Sequence, residues 1–282
     1  MSRGRALPPL LTSRVARRIL EGSRRVSLDL GLSEASVAVG DDHVELPDGS
    51  VIDFSDLRRI EDRNNAVFFP EEGALYMVAI SDDHFYKLVP TEGAPTIEVD
   101  GIRMHRTKET TPDIDASEKI EALGIRGGRV LDTCTGLGYT AQAALERGAD
   151  LVVSIERRPE VLHIAEVNPW SRGIFEDNRI HLMLGDAHVT LDGLPRGFFD
   201  YAVHDPPRLA LAGHLYGQEF YAKLLHILRG GGRLFHYTGE PGSRHRRIDL
   251  RRGVMSRLRQ AGFEKIVYHE RVRGVTCRKP DS

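Results

Sequence analysis

Carboxylates stand where apolar runs end in the second half of this chain, and their neighbours are the types that chemistry requires. Asp205 closes the run "FDYAVH" and is followed by Pro206, Pro207 and Arg208. Two prolines fix φ and donate no N–H, so the carbonyl beside Asp205 is held in place and no competing donor enters. Asp132 closes "RVLD" and leads into "TCTGLGYTA". Gly136 and Gly138 let the backbone turn tightly and pass close to a ligand before a helix opens at Tyr139. An aspartate four residues ahead of the first glycine suits a cofactor with a positive centre better than one with two phosphates. Glu156 ends "LVVSIE" about twenty residues further on, where a carboxylate accepts hydrogen bonds from ribose hydroxyls. Asp186, in "GDAH", is placed to receive an adenine amino group, with Ala187 leaving room for the ring. Taken singly, Glu156 and Asp186 also fit solvated loop carboxylates or helix caps, and Gly-x-Gly alone also fits a dinucleotide fingerprint.

These residues need strands to end on. From about residue 111 the pattern alternates "RVLDTCTG", "LVVSIE", "IHLMLGD", "FFDYAVHDPP" and "RLFHYTG" with helical stretches such as "YTAQAALERG" and "GQEFYAKLLHILRGGG". Such alternation predicts an α/β fold, a doubly wound and mostly parallel seven-stranded sheet whose ligands bind at the carboxyl ends of the strands. Residues 1–110 read differently. After a short basic helix from Ser13 to Glu21, β-like runs such as "HVELPDGSVIDF", with Asp48-Gly49 as a hairpin turn, predict a smaller β-rich domain. The linker "TKETTPDIDAS" leads into a helix capped near Asp115 or Ser117. The expected organisation is a β-rich domain over 1–110, binding substrate or RNA, and a catalytic domain over 111–282.

From about Ile114 onward the chain resembles the class I, Rossmann-like S-adenosylmethionine-dependent methyltransferases. The resemblance implies S-adenosylmethionine as cofactor. It places Asp132, Gly136 and Gly138, with neighbouring Thr133, Thr135 and Tyr139, around the methionine portion. Glu156 and Arg157 fall at the ribose, and Asp186 and Ala187 at adenine. Asp205-Pro206-Pro207-Arg208 is similar to the Asp-Pro-Pro-Tyr signature of enzymes that methylate exocyclic amines. The carboxylate of Asp205 and the carbonyl of Pro206 would take the two N–H groups of a flat NH2 and aim its lone pair at the methyl. Arg208 replaces the usual aromatic residue; a guanidinium stacks on a base or contacts phosphate. Tyr216, Phe220, His236 and Tyr237 are candidates for the missing stacking surface. The Gly loop, "HDPPR" and the N-terminal extension also look like an archaeal group related to rRNA cytidine N4-methyltransferase.

The expected partner is therefore RNA, rRNA or tRNA. Arginine is concentrated in "SRHRRIDLRRGVMSRLRQ". Arg244, Arg246 and Arg247 would hold phosphates, with Arg103, His105 and Arg106 closing from the other side. Composition excludes other classes. The chain has 282 residues, a net charge of -2, two cysteines and no apolar run of membrane-spanning length. With no secretory leader expected at its start, it reads as cytoplasmic, and its scattered histidines lack metal-ligand spacing, so no metal is expected. Two rival enzymes remain: an aminopropyltransferase using decarboxylated S-adenosylmethionine, and a methyltransferase acting on a small-molecule or protein amine. A single acid after the fourth strand and abundant arginine argue against a polycation substrate. A dinucleotide-dependent oxidoreductase lacks a Tyr-x-x-x-Lys pair.

Overall fold

The computed structural model describes residues 7–239 and 250–281. Two compact units account for them. One runs through Asp113 and takes in Glu160–Glu176; the other comprises Ile114–Pro159 and the chain from Asp177 on. No helix among the described residues is long and apolar enough to cross a membrane.

The first unit is built from short hairpins and two eight-residue helices. Thr12 caps the helix Ser13–Leu20, accepting from the Val15 amide at 3.3 Å. This helix and Phe54–Glu61 bury Val15, Ile19, Leu57 and Ile60 together with Val44 and Ile52. His43–Glu45 pairs antiparallel with Val51–Asp53 across Asp48-Gly49, where Gly49 takes φ 85°. In the antiparallel sheet of Ala79–Ser81, Phe85–Val89, Thr96–Val99 and Ile102–Arg103, the last turn puts Asp100 and Gly101 at φ 47° and 79°. Two successive positive φ values match the right-handed twist of the flanking strands.

The second unit carries one seven-stranded sheet. In chain order its strands are Arg129–Asp132, Leu151–Glu156, Ile180–Leu184, Phe199–His204, Leu228–Tyr237, Glu264–His269 and Gly274–Arg278. Their spatial order is third, second, first, fourth, fifth, seventh, sixth, and only the seventh runs antiparallel to its neighbours. The order reverses between the first and fourth strands. That switch point puts Asp132 and Asp205 beside each other, because Asp132 is in register with Val203. The helix Gln218–Ile227 presents Phe220, Tyr221, Leu224 and Ile227 to the sheet at a helical repeat. Full burial of a side chain such as Phe220 is worth roughly 1.5–3 kcal/mol.

Two boundaries differ from the sequence pattern. The helix containing Lys119 begins at Pro112, because a first-turn proline has its φ already set and its missing N–H costs nothing there. The helix Gln218–Ile227 stops short of the glycines, and Leu228–Gly232 joins the fifth strand, since three consecutive glycines support a helix poorly.

Candidate functional site

The glycine loop between the first strand and the helix Tyr139–Glu146 turns through two left-handed glycines, Gly136 at φ 54° and Gly138 at φ 79°. A side chain at either would be strained. Polar residues beneath hold it. Asp132 is 0% exposed; one carboxylate oxygen accepts from Ser154 Oγ at 2.9 Å and Thr140 Oγ1 at 3.0 Å. The other, Oδ1, is buried with no hydrogen-bond partner among the described residues. Burial pushes this carboxyl up to about 7, against the two hydroxyls that favour its charge. Thr135 Oγ1 lies 2.7 Å from Ser154 Oγ. Glu156 clips the loop, accepting from the amides of Gly136 and Arg158, both at 2.9 Å, and burial raises its carboxyl as well.

Asp186 caps the short helix Ala187–Thr190 through the His188 amide at 2.8 Å. Its other oxygen lies 3.5 Å from Arg157 Nε and 3.4 Å from His214 Nε2. Ala187 is buried. Thr133 and Tyr139 are buried too, and Thr133 Oγ1 meets His204 Nδ1 at 2.7 Å. The far nitrogen of His204 contacts the Leu215 carbonyl at 3.0 Å. Burial holds His204 down to about 3, so it is neutral, with Nε2–H donating to Leu215 and Nδ1 accepting from Thr133.

At the tip of the fourth strand, Asp205 Oδ2 accepts from Lys119 Nζ at 2.6 Å. The same ammonium lies 2.7 Å from Asp115 Oδ2, one helical turn before it, and 4.3 Å above the centre of the Tyr237 ring. Lys119 is 4% exposed. Burial alone would favour the neutral amine, but the Asp205 and Asp115 carboxylates overcome that and hold it charged, well above the usual lysine range. Pro206 is buried, while Pro207 and Arg208 are exposed. The carbonyl that the structure secures is that of Pro207, which accepts from Tyr216 OH at 2.9 Å.

The other expected site residues are dispersed. Tyr216, Phe220 and His236 are buried, the last two completely, so they pack the core beneath Asp205 instead of forming a rim. His204 and His236 meet edge to face with ring centres 4.5 Å apart. Arg103, His105 and Arg106 belong to the first unit; His105 Nδ1 lies 3.0 Å from Thr96 Oγ1 and Arg103 reaches Thr107. Arg244, Arg246 and Arg247 lie outside the described residues. Sequence reading passed over Lys119, Thr140, Ser154 and His204, and took Asp115 only as a helix cap, whereas it lies inside the helix that begins at Pro112. An i, i+4 Asp–Lys pair was visible in "DASEK", but such pairs ordinarily face water.

Cys134 sits among Glu156, Asp132 and Asp205. Burial and then these charges push its thiol well above the ordinary range, so it is no thiolate nucleophile at neutral pH. The site is acidic, with a single buried lysine locked between two of its carboxylates.

No protein-family model matches this chain. It is 43% identical over 278 residues to the uncharacterized protein MJ1233 of Methanocaldococcus jannaschii, covering 96% of this chain and 95% of that protein. The chain belongs to the MJ1233 family. It is also 30% identical over 154 residues to polyamine aminopropyltransferase 2 of Streptomyces coelicolor, a match covering 52% of this chain and 27% of that protein. Among solved structures it is similar to a spermidine synthase in complex with the transition state analogue AdoDATO, with a TM-score of 0.59 and 17% identity over 72% of this chain and 73% of that one. Spermidine synthase from Thermotoga maritima gives a TM-score of 0.56 and 18% identity, covering 72% of each chain. At these identities the structures speak for the fold, and they agree with the Rossmann-like, class I sheet order of this MJ1233-family protein.

These findings correct the expectation of an N-methyltransferase for an RNA base, and with it the roles in RNA methylation and rRNA modification. The named enzymes to which this family member is similar are a polyamine aminopropyltransferase and spermidine synthases. Kinship with rRNA cytidine N4-methyltransferase is not shown. The reason lies partly in the site. The argument against a polycation rested on abundant arginine and on a single acid after the fourth strand, and the fold brings a second acid, Asp115, to the same ammonium as Asp205.

Proposed function

We propose that this protein transfers an aminopropyl group from decarboxylated S-adenosylmethionine to a small amine. The observation that carries the reading is the seat made by Asp115, Asp205 and the Tyr237 ring, which holds a primary ammonium in this structure, that of Lys119. Two carboxylates and an aromatic face are the groups that recognise an alkylammonium. The partial match to a polyamine aminopropyltransferase supports the same class.

The residues around the glycine loop fit a cationic donor. The orphaned Oδ1 of Asp132, with Glu156 and Asp205 near the same thiol of Cys134, makes the loop rich in carboxyl oxygens, and a bound cation would draw the raised Asp132 carboxyl into its charged form. A sulfonium is favoured there, and a donor lacking the α-carboxylate avoids repulsion from that ring of acids. Gly136 and Gly138 would carry the backbone past the aminoalkyl chain, Glu156 would take ribose hydroxyls, and Asp186 and Ala187 would receive adenine. When bound, the sulfonium supplies an electrophilic methylene carbon and a leaving group that departs as a neutral thioether.

This chain's own residues position the amine. Lys119 pairs with Asp205, Asp205 accepts an N–H from the incoming amine, and the proton shed by the product passes through that carboxylate to water. Alignment does the larger part of the work, as expected for a displacement between two held partners.

Calorimetry with both donors, followed by mass spectrometry of putrescine or spermidine incubated with enzyme and decarboxylated S-adenosylmethionine, tests this. Tighter binding of the decarboxylated donor and an amine product heavier by one aminopropyl group are expected. Preference for S-adenosylmethionine with methylation of the amine would overturn the reading.

A further inference from the structure

Away from the Asp205 site, the second unit contains a pocket of about 440 Å³ at the sixth and seventh strands. Arg233, Lys265, His269 and Arg278 line it, with Ala122 and Val267 as apolar wall. Among the described residues no carboxylate lines it. Arg278 is paired with Asp281, whose side chain is 70% exposed and readily exchanged for another anion. Arg233 and Lys265 have no carboxylate partner among the described residues.

The lining is arranged against its own charge. Lys265 takes a left-handed backbone, φ 51°, where the pairing of the sixth and seventh strands shifts register. The bulge keeps a third cation at the mouth already occupied by Arg233 and Arg278. His269 rests its Nε2 on Thr276 Oγ1 at 2.7 Å, and its imidazole is held below the ordinary range by burial and then by the charge of Arg233. Gathered cations whose one counter-charge, Asp281, is exposed are stabilised by an anion, and a neutral imidazole beside them gains a proton when one arrives. The volume falls within the roughly 300–1,000 Å³ of small-molecule sites, and the Ala122 and Val267 wall suits an organic body more than a bare ion.

We infer that this pocket binds a phosphate group carried on a small, partly apolar organic molecule, held by Arg233, Lys265 and Arg278. The inference does not rest on the aminopropyl-transfer reading, since no residue of the Asp205 site takes part. The helix Pro112–Leu123 contributes Ala122 to the pocket and Lys119 to the other site, one turn apart.

The test is a titration of the full chain with phenyl phosphate and with inorganic phosphate, followed by calorimetry and by NMR of the histidine ring protons. Phenyl phosphate is expected to bind more tightly than inorganic phosphate and to shift His269 toward its protonated form. Arg233→Gln and, separately, Lys265→Gln are each expected to weaken binding by about tenfold. Lys265 is exposed, so its variant tests the site without risk to the core. Absence of binding at millimolar ligand, equal affinity for the two ligands, or binding that survives both substitutions and leaves His269 unmoved would overturn it.

Discussion

Lys119 Nζ donates to Asp205 Oδ2 across 2.6 Å, although 86 residues separate the two in the chain. Asp115 completes the arrangement from the lysine's own helix. A buried ion pair of this kind contributes little net stability, because desolvation offsets attraction. Removing one partner is a different matter, since the charge left behind has no counter-ion.

Lys119→Met therefore leaves Asp115 and Asp205 facing each other in a buried site. We expect a loss of about 3–5 kcal/mol in unfolding free energy, read from urea denaturation. Lys119→Arg should recover part of the stability but not the turnover, because a planar guanidinium cannot occupy the point held by an ammonium. Restored turnover in the arginine variant would mean that only charge matters here.

Asp205→Asn should lower turnover by about 10²-fold or more, with the donor's calorimetric affinity unchanged. Parallel loss of both would assign Asp205 to the glycine loop instead of to the amine.

Asp132 is held up to about 7 by burial, from an ordinary value of 3.8. The folded state thus holds a proton that the unfolded state has released, so this group's contribution weakens as pH rises from about 4 to 7. Asp132→Asn removes that dependence. The variant should melt at a higher temperature than the parent above pH 7, and should bind the sulfonium donor more weakly. An unchanged affinity would take Asp132 out of donor binding and leave it a loop support.

His204 has the opposite sign. Its folded-state value is down to about 3, against 6.5 when unfolded, so the unfolded chain takes up a proton first as pH falls. Stability should decline below pH 6.5 by at most about 1.4 kcal/mol per unit from this group. Thermal melts of the parent and His204→Asn between pH 7 and pH 4 measure it; the variant's slope should be shallower.

Tyr216→Phe removes the hydroxyl that holds the Pro207 carbonyl. The acceptor is on an exposed residue that water can reach, so the cost is that of one ordinary hydrogen bond, about 0.5–1.5 kcal/mol. We expect kcat to fall with little change in donor affinity, since the hydroxyl's hydrogen bond steadies the turn after Asp205.

The sheet was legible because its strands are apolar runs that end in chemistry. "RVLD", "LVVSIE" and "FDYAVH" announce buried parallel strands, and the carboxylates after them land at the switch point between the first and fourth strands. The helix Phe54–Glu61 was not legible, since its opening residues continue the β-like "SVIDF"; helix pairing with Ser13–Leu20 decides it. The reading of function failed at Asp205-Pro206-Pro207 for a related reason. A local motif specifies a held carboxylate but not what else faces it.

Sequence by itself determined the class of fold, the order of the strand-end loops, and the placing of Asp132, Gly136, Gly138, Glu156, Asp186 and Asp205 at the strand ends, because these follow from local periodicity and backbone stereochemistry. Tertiary structure alone decided that Asp115 and Lys119 join Asp205. Their spacing is that of any solvated helix pair, and only burial against the fourth and fifth strands turns it into a seat for an ammonium. Charge is fixed by composition; its effect depends on water being absent, and that is a property of packing.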